Sequence, residues 1–244
     1  MRQLKIIAKR ILGPVFKLTA DRDSGFATEV RSWDKWFREK GSTIPDNWRV
    51  GDYRYRADPN SAITGWHREL VDKIPSERVS ILDVGAGPMT VVGKKHDSKI
   101  LSITAVDPLA DEYAVLIAKY RVEPAVRTRK GAGENLLELF GPNAFDVVIG
   151  QKCIDHSEDP AACVRNMVEV CRVGGVVALA HEENLAANAA YRGIHQWNFS
   201  LKDSNLIVSG GHYTKNIDEE FRGRLRWEHR IQDNLIRSWS RKLA

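Results

Sequence analysis

Two kinds of hydrophobic pattern divide the chain about a third of the way along. In the first part, apolar residues recur at helical spacing in 27–41 and in 61–75, where Ser61 is predicted to cap the second helix. Between them, the stretch 46–59 is rich in aromatic residues and arginine but has no clear period, so it predicts a loop. Residues 21–78 are therefore predicted to form a helical cap.

The rest of the chain, 79–244, is predicted to form one α/β domain. Short apolar runs alternate with helical stretches, a pattern typical of a parallel sheet with crossover helices. Because nearly every position in these runs is apolar, the sheet is expected to be covered on both faces. The predicted strands are 79–84, 99–106, 145–150 and 174–180.

Helix and hairpin signals complete this prediction. Residues 159–175 predict a helix with Asp159 at its N-cap and Gly174 at its end. Alternating residues predict strands at 205–210, 224–231 and 234–242, the last two joined at Gln232-Asp233 as a hairpin at the sheet edge.

Composition narrows the class of protein. The 244 residues are 43% hydrophobic and 28% charged, which is ordinary for a globular protein and excludes a disordered or fibrous chain. Cys153, Cys163 and Cys171 form no CxxC pair, so we expect buried thiols in a reducing compartment. No apolar run approaches the ~20 residues of a membrane-spanning helix, and the N-terminus lacks a secretory signal pattern. These features lead us to expect a cytoplasmic enzyme.

The positive charge is concentrated at one end of the chain. The net charge is +5, with +6 in residues 1–56 and −1 in 57–244. Residues 1–20 predict a basic amphipathic helix, kinked at Gly13-Pro14. One interpretation is peripheral contact with the inner face of a membrane; the alternative is that its apolar stripe covers the protein's own core or an oligomer mate. Liposome binding that is lost on deletion of residues 1–20 would favour the first interpretation.

The strongest chemical motif is ILDVGAGPMT, residues 81–90. Gly85 and Gly87 predict a tight turn after a strand, where backbone approaches a ligand closely. Asp107 ends the next strand, where an acid can bind the ribose hydroxyls of an adenosine cofactor. The alternative is a turn that needs glycine for geometry alone. A dinucleotide site would place a third glycine at the position of Thr90.

Residues 79–181 resemble the class I S-adenosylmethionine-dependent methyltransferases. The matching motifs are DVGAGP (83–88), AVDP (105–108), GAGENL (131–136), FDVVIGQKCIDHSEDP (145–160) and RVGGVVALA (172–180). The resemblance implies a Rossmann-like, mostly parallel sheet with an antiparallel C-terminal hairpin, and S-adenosylmethionine as cofactor. Met89 stands where the most glycine-rich relatives have a further glycine. The cofactor-binding residues that it implies are Asp83, Gly85, Ala86, Gly87, Asp107, Pro108, Glu134, Asn135 and Gln151.

Catalysis is predicted just past the fourth strand of the core. If the methyl acceptor is a hydroxyl, it needs a base near the transferring methyl group. His156 is the first candidate, Asp155 would orient it, and His195 is the second candidate. The alternative for His156 is a loop anchor that only makes hydrogen bonds.

The segment 181–200 is predicted to line the acceptor side. HQWNF (195–199) and RYRADP (54–59) resemble segments of methyltransferases encoded among polysaccharide and surface-glycan biosynthesis enzymes, which implies a sugar or another small-molecule acceptor. The alternative is a structural loop whose aromatic rings pack inward. Arg54 and Arg56 are candidates for holding a carboxylate or phosphate, although ion pairing is the commoner role.

Several alternatives stay open at this point. No metal is predicted, because HEEN (181–184) is not an HExxH motif and the Asp155/His156 and His181/Glu182 pairs would have to converge in space. The pI of about 9.1 suggests an RNA methyltransferase, but the N-terminal location of the charge argues against a nucleic-acid partner. A non-catalytic scaffold protein with a cofactor fold is a further alternative. The sequence leaves the oligomeric state open.

Overall fold

A computed structural model describes residues 24–40 and 48–244. The basic segment 1–20 lies outside these residues, so its membrane contact stays a prediction. Within the described part of the chain, no helix is both long enough and apolar enough to cross a bilayer.

The core is a seven-stranded sheet. Its strands are β1 (Arg78–Val84), β2 (Ile100–Asp107), β3 (Thr128–Lys130), β4 (Phe145–Gln151), β5 (Cys171–Glu182), β9 (Glu228–Gln232) and β10 (Leu235–Arg241). Their order across the sheet is β3-β2-β1-β4-β5-β10-β9. The first five strands in this order run parallel, and β10 is antiparallel to both its neighbours. This confirms the predicted α/β fold with an antiparallel hairpin at the edge.

The order of strands places a crevice beside β1. The chain leaves β1 toward β2 and β3 on one side, and returns to β4 and β5 on the other. In open α/β sheets, ligands bind at the carboxyl ends of the strands where the direction of winding changes. The glycine turn follows β1 and the histidine-containing loop follows β4, so both lie at this point of the sheet.

Helices surround the sheet, and one of them corrects a prediction. Residues 46–59 were predicted as a loop, but Trp48–Ala57 is helical. Tertiary contacts explain the difference. Tyr53 packs on Trp36, and Arg56 donates a hydrogen bond to the Met89 carbonyl. Because the inward contacts of this helix include an arginine, its sequence shows no clear apolar period. The helices are α1 (24–38), α2 (Trp48–Ala57), α3 (Gly65–Asp72), α4 (Ala110–Tyr120), α5 (Leu136–Phe140), α6 (Pro160–Val170), α7 (Leu185–Asn188) and α8 (Ile217–Glu220).

The start of α3 and the end of α6 also differ from the predictions. Ser61 does not cap α3, because the backbone at 61–63 is extended and hydrogen-bonded to the 94–95 segment. Asp159 caps α6 as predicted, accepting hydrogen bonds from two backbone amides. However, α6 ends at Val170 rather than at Gly174, because Cys171 already pairs with β4 as the first residue of β5.

The two faces of the sheet are covered in different ways. On one face, α3 packs Trp66, Leu70 and Val71 over β1, β4 and β5. The connection from β1 to β2, which the structure describes throughout, contains no helix, so α3 takes the covering role there. On the other face, α6 packs together with a separate antiparallel sheet.

That second sheet was predicted only at its middle strand. It has the order β6-β7-β8, where β6 is Asn198–Lys202, β7 is Asn205–Gly210 and β8 is Tyr213–Asn216. Phe199 and Val208 bury their side chains against α6. The small sheet therefore fixes the segment between β5 and β6, which borders the crevice.

Candidate active site

The glycine turn after β1 needs two residues without side chains. Gly85 and Gly87 have φ angles of +67° and +65°, in the left-handed region that favours glycine. A Cβ on Gly85 would lie 2.2 Å from the Cβ of Cys153, and one on Gly87 would lie 3.0 Å from the Trp33 ring. The amides of Gly85 and Ala86 both donate to the Val106 carbonyl, which ties the turn to β2.

Asp107 closes this turn from the end of β2. Its carboxylate accepts hydrogen bonds from the amides of Gly87 (3.0 Å) and Leu109 (2.9 Å). Burial raises its pKa to about 6, although those two hydrogen bonds favour the charged form. Asp83 behaves similarly: burial raises its pKa to about 6, and Thr90 donates a 2.6 Å hydrogen bond to it.

A cavity of about 420 Å³ opens over these carboxyl ends. Helix α1 supplies Phe26, Glu29 and Trp33 to one wall, and Arg56 from α2 adjoins them. Trp33 belongs to the predicted helical cap, 21–78, but its own place in the cavity wall was not predicted. The sequence-predicted residues that line the cavity are Asp83, Gly85, Ala86, Gly87, Asp107, Pro108, Glu134, Gln151 and His156.

Asn135 is the predicted cofactor residue that does not line the cavity. Its side-chain oxygen accepts a 2.9 Å hydrogen bond from the Ala132 amide, so it shapes the local turn. Its neighbour Glu134 does line the cavity and accepts a 2.8 Å hydrogen bond from the Glu158 amide. Glu134 thereby joins the turn after β3 to the loop that follows His156.

Arg54 and Arg56 have different surroundings. Arg54 is exposed and does not line the cavity, whereas Arg56 does. Arg56 forms an ion pair with Asp52 at 2.8 Å and donates to the Met89 carbonyl at 2.7 Å. Both interactions fix its guanidinium beside the glycine turn.

Gln151 is held in place by a histidine that the sequence did not single out. His67 on α3 lies 3.0 Å from the Gln151 side-chain oxygen through its Nε2. Burial lowers the pKa of His67 to about 4, so the imidazole is neutral and its Nε2–H donates to Gln151. The side-chain amide nitrogen of Gln151 can then donate hydrogen bonds to a ligand in the cavity.

This histidine leads to a prediction about pH and stability. Because its pKa is about 4 in the folded protein and about 6.5 when unfolded, the unfolded chain binds more protons between these values. Stability is therefore lost as pH falls from 6.5 to 4, by up to ~3 kcal/mol from this group. We expect His67→Gln to lose less stability than the wild type between pH 7 and pH 4.5, as measured by urea unfolding.

The control for this experiment is His212→Ala, which removes an exposed histidine. It should retain the wild-type dependence on pH. Equal pH dependence in His67→Gln and the wild type would show that His67 is not buried in its neutral form.

Asp155, His156 and His195 come together although 195 is far away in sequence. His156 Nε2 lies 3.1 Å from Asp155 Oδ2, and His195 Nδ1 lies 2.9 Å from the same oxygen. The two imidazole nitrogens are 3.0 Å apart. We call Asp155, His156 and His195 the histidine cluster; within it, His156 lines the cavity and the other two residues do not.

A fourth residue, His181, borders this cluster from β5. It is buried, stacks on Phe199 at 4.0 Å, and places Nδ1 3.6 Å from Asp155 Oδ1. Burial by itself would raise the pKa of Asp155, but contacts with the imidazoles of His156, His181 and His195 hold it well below its usual value. Asp155 is thus ionised. Burial lowers the pKa of His156, but the contact with the Asp155 carboxylate has the larger effect and raises it.

The segment 181–200 lines the cavity differently from the prediction. Ile194 is its only residue in the cavity wall of the described structure. The rings of Trp197 and Phe199 pack inward, and Trp197 donates a 2.8 Å hydrogen bond to the Ser157 carbonyl. These contacts correspond to the alternative of a structural loop, which here carries His195 to the histidine cluster.

Known proteins are similar to this chain over the region that contains the candidate active site. Residues 82–179 match a family model described as a methyltransferase domain. Over 193 residues the chain is 24% identical to the ubiquinone biosynthesis O-methyltransferase of Caulobacter vibrioides, covering 70% of this chain and 73% of that protein. The matched domain contains the glycine turn, Asp107, Gln151 and two members of the histidine cluster.

Solved structures are similar to this chain at low sequence identity. A chain from the complex of the Haloferax volcanii Trm112 methyltransferase activator with a proposed methyltransferase is 13% identical, with a TM-score of 0.54, over 91% of this chain and 97% of that one. A Burkholderia thailandensis 1,6-didemethyltoxoflavin-N1-methyltransferase with bound S-adenosylhomocysteine is 16% identical, with a TM-score of 0.48, over 90% and 89% of the two chains. The first of these likenesses supports the fold alone.

Proposed function

The chain is an S-adenosylmethionine-dependent methyltransferase, and we propose that it methylates a hydroxyl of a sugar on a glycan or a nucleotide-linked precursor. The observation that carries this proposal is the position of His156. It lines the cofactor cavity, and its Nε2 lies 3.1 Å from the ionised Asp155. A hydroxyl acceptor must lose a proton during methyl transfer, and an imidazole beside the cavity can promote this loss.

The cavity fits the cofactor on two observations. The turn at Gly85 and Gly87 has no room for side chains, so backbone lies at the cavity surface. The buried Asp107 carboxylate lines the same cavity, where it can accept hydrogen bonds from ribose hydroxyls. We assign Asp107 to the ribose, Glu134 to the adenine side, and the glycine turn with Asp83 and Gln151 to the methionine part.

Methyl transfer from a sulfonium is an in-line displacement whose driving force the donor already carries. The protein's contribution is to align the acceptor oxygen with the methyl group and sulfur, and alignment can supply much of the rate. His156 promotes loss of the hydroxyl proton, and His195 and Asp155 hold its ring at the cavity wall.

The acceptor class is supported by two further observations. Phe26 and Trp33 present aromatic surface to the cavity beside Glu29, a combination that suits the C–H faces and hydroxyls of a sugar. The Caulobacter relative is named an O-methyltransferase, which agrees with an oxygen acceptor. The resemblance of 195–199 and 54–59 to enzymes of surface-glycan biosynthesis favours a sugar among oxygen acceptors.

The test of this proposal is mass spectrometry on a panel of sugars, nucleotide sugars, phenols, amines and RNA. Each is incubated with the protein and S-adenosylmethionine, with S-adenosylmethionine alone as the blank. We expect a sugar compound to gain the mass of one CH₂, because a methyl group replaces the hydrogen of a hydroxyl. Transfer to RNA, to an amine or to a phenol, with every sugar compound unmodified, would contradict the proposal.

A further inference from the structure

The histidine cluster contains three polar atoms that nearly form an equilateral triangle. The atoms are His156 Nε2, His195 Nδ1 and Asp155 Oδ2, and the edges of the triangle are 3.0, 2.9 and 3.1 Å. All three edges have the length of hydrogen bonds.

An imidazole nitrogen carries either a hydrogen or a lone pair, never both. The two nitrogens, 3.0 Å apart, form an N–H···N hydrogen bond only if a single one of them carries hydrogen, and the other then directs a lone pair into the cluster. A cation at the centre of the cluster attracts all three atoms through their lone pairs.

A second observation also points to a ligand here. Asp155 Oδ1 and both ring nitrogens of His181 are buried without a hydrogen-bond partner among the described residues. Asp155 and His181 are each at least nine-tenths buried. Buried polar atoms of native proteins are nearly always paired, so a group of unpaired ones indicates an ion or ordered water.

We propose that Asp155 Oδ2, His156 Nε2 and His195 Nδ1 bind a divalent first-row transition-metal ion. Ligand atoms ~2.1 Å from a metal lie ~3.0 Å apart on one face of an octahedron, but ~3.4 Å apart in a tetrahedron. The observed edges therefore fit three neighbouring octahedral positions. Two imidazoles with one carboxylate favour Mn²⁺, Fe²⁺, Co²⁺, Ni²⁺ or Zn²⁺ over Mg²⁺ and Ca²⁺.

The role of this metal site in catalysis rests on the proposed function. Metal binding itself does not depend on it. Because His156 lines the cavity, we expect a bound ion to keep a coordination position that an acceptor hydroxyl in the cavity can occupy. Coordination lowers the pKa of that hydroxyl, and its proton passes to solvent. The oxygen then forms a bond to the methyl carbon as the carbon–sulfur bond breaks, which yields a methyl ether and neutral S-adenosylhomocysteine. In this mechanism His156 acts as a ligand.

The experiment titrates the EDTA-treated protein, residues 1–244, with Co²⁺ alone, without cofactor or acceptor. We expect one equivalent to bind by calorimetry, with visible absorption bands of a Co²⁺ centre. His195→Ala should weaken binding ~10-fold or more, because it removes one of three protein ligands. Since the His195 side chain is 33% exposed, this variant is expected to fold, which circular dichroism would check.

His212→Ala is the matched control, because it removes an exposed histidine and leaves the cluster intact. Its Co²⁺ affinity should equal that of the wild type.

No Co²⁺ binding by the wild type, equal binding by His195→Ala, or binding of Mg²⁺ in preference to Co²⁺ would each overturn the proposal. Methylation of a sugar hydroxyl at full rate in EDTA would remove the metal from the mechanism but leave the proposed function standing. Co²⁺ binding without methylation of any hydroxyl would leave the metal site standing but contradict the proposed function.

Discussion

Replacing Asp107 with alanine is expected to abolish measurable binding of S-adenosylhomocysteine. The variant loses two charge-assisted hydrogen bonds to the ribose, at ~1.5–3 kcal/mol each, so affinity falls about 10²–10⁴-fold. It also leaves the amides of Gly87 and Leu109 without their acceptor, which loosens the glycine turn. Isothermal titration calorimetry with the wild type and the variant measures this loss.

Asp111→Ala is the matched control for that change. Asp111 lies on α4, is 67% exposed and pairs with Lys130, so its removal changes the charge equally without touching the cavity. We expect wild-type affinity for S-adenosylhomocysteine in this variant. Near-normal binding by Asp107→Ala would refute the assignment of Asp107 to the ribose.

Replacing His156 with alanine should slow turnover without preventing cofactor binding. A group that promotes proton loss at the acceptor contributes ~10²–10⁴-fold to the rate, and this factor should appear in kcat. The affinity for S-adenosylhomocysteine should stay close to that of the wild type, because other residues of the cavity hold the cofactor. Steady-state kinetics on the acceptor found by mass spectrometry, together with calorimetry, measure the two quantities separately.

His212→Ala again serves as the control, and it should retain the wild-type kcat. If His156→Ala turns over at the wild-type rate, His156 has no part in the reaction and only anchors its loop. Loss of cofactor binding in His156→Ala would instead show that the ring supports the cavity rather than the methyl transfer.

The parts of the molecule that the sequence predicted are those with local causes. The glycine turn follows from two residues that adopt positive φ directly after a buried strand. Asp107 could be placed because the carboxyl ends of parallel strands meet at one edge of the sheet. Asp159 caps its helix through amides two and three residues away. Each of these features can be recognised from a short motif or from the ends of two neighbouring strands.

The features that the sequence did not predict depend on contacts between distant residues. His195 reaches Asp155 across 40 positions, and its approach is set by the small sheet that packs Phe199 against α6. The helix Trp48–Ala57 packs on Trp36 and donates a hydrogen bond to the Met89 carbonyl, and neither partner belongs to its own sequence. Likewise, nothing in the sequence indicated that His67 would hold Gln151.

The candidate active site therefore combines a locally encoded cofactor crevice with a histidine cluster assembled by tertiary packing. The crevice is the more predictable half, because strand ends, glycines and an acid are enough to define it. The cluster depends on the conformation of 181–200, whose aromatic residues serve packing rather than direct contact with the cavity.

The most direct measurement is a crystal structure of the protein with S-adenosylhomocysteine. We predict the ribose hydroxyls within hydrogen-bonding distance of the Asp107 carboxylate, and the sulfur on the side of the cavity where His156 lies. A complex in which the ligand binds elsewhere, or in which the Asp107 carboxylate points away from it, would contradict the account.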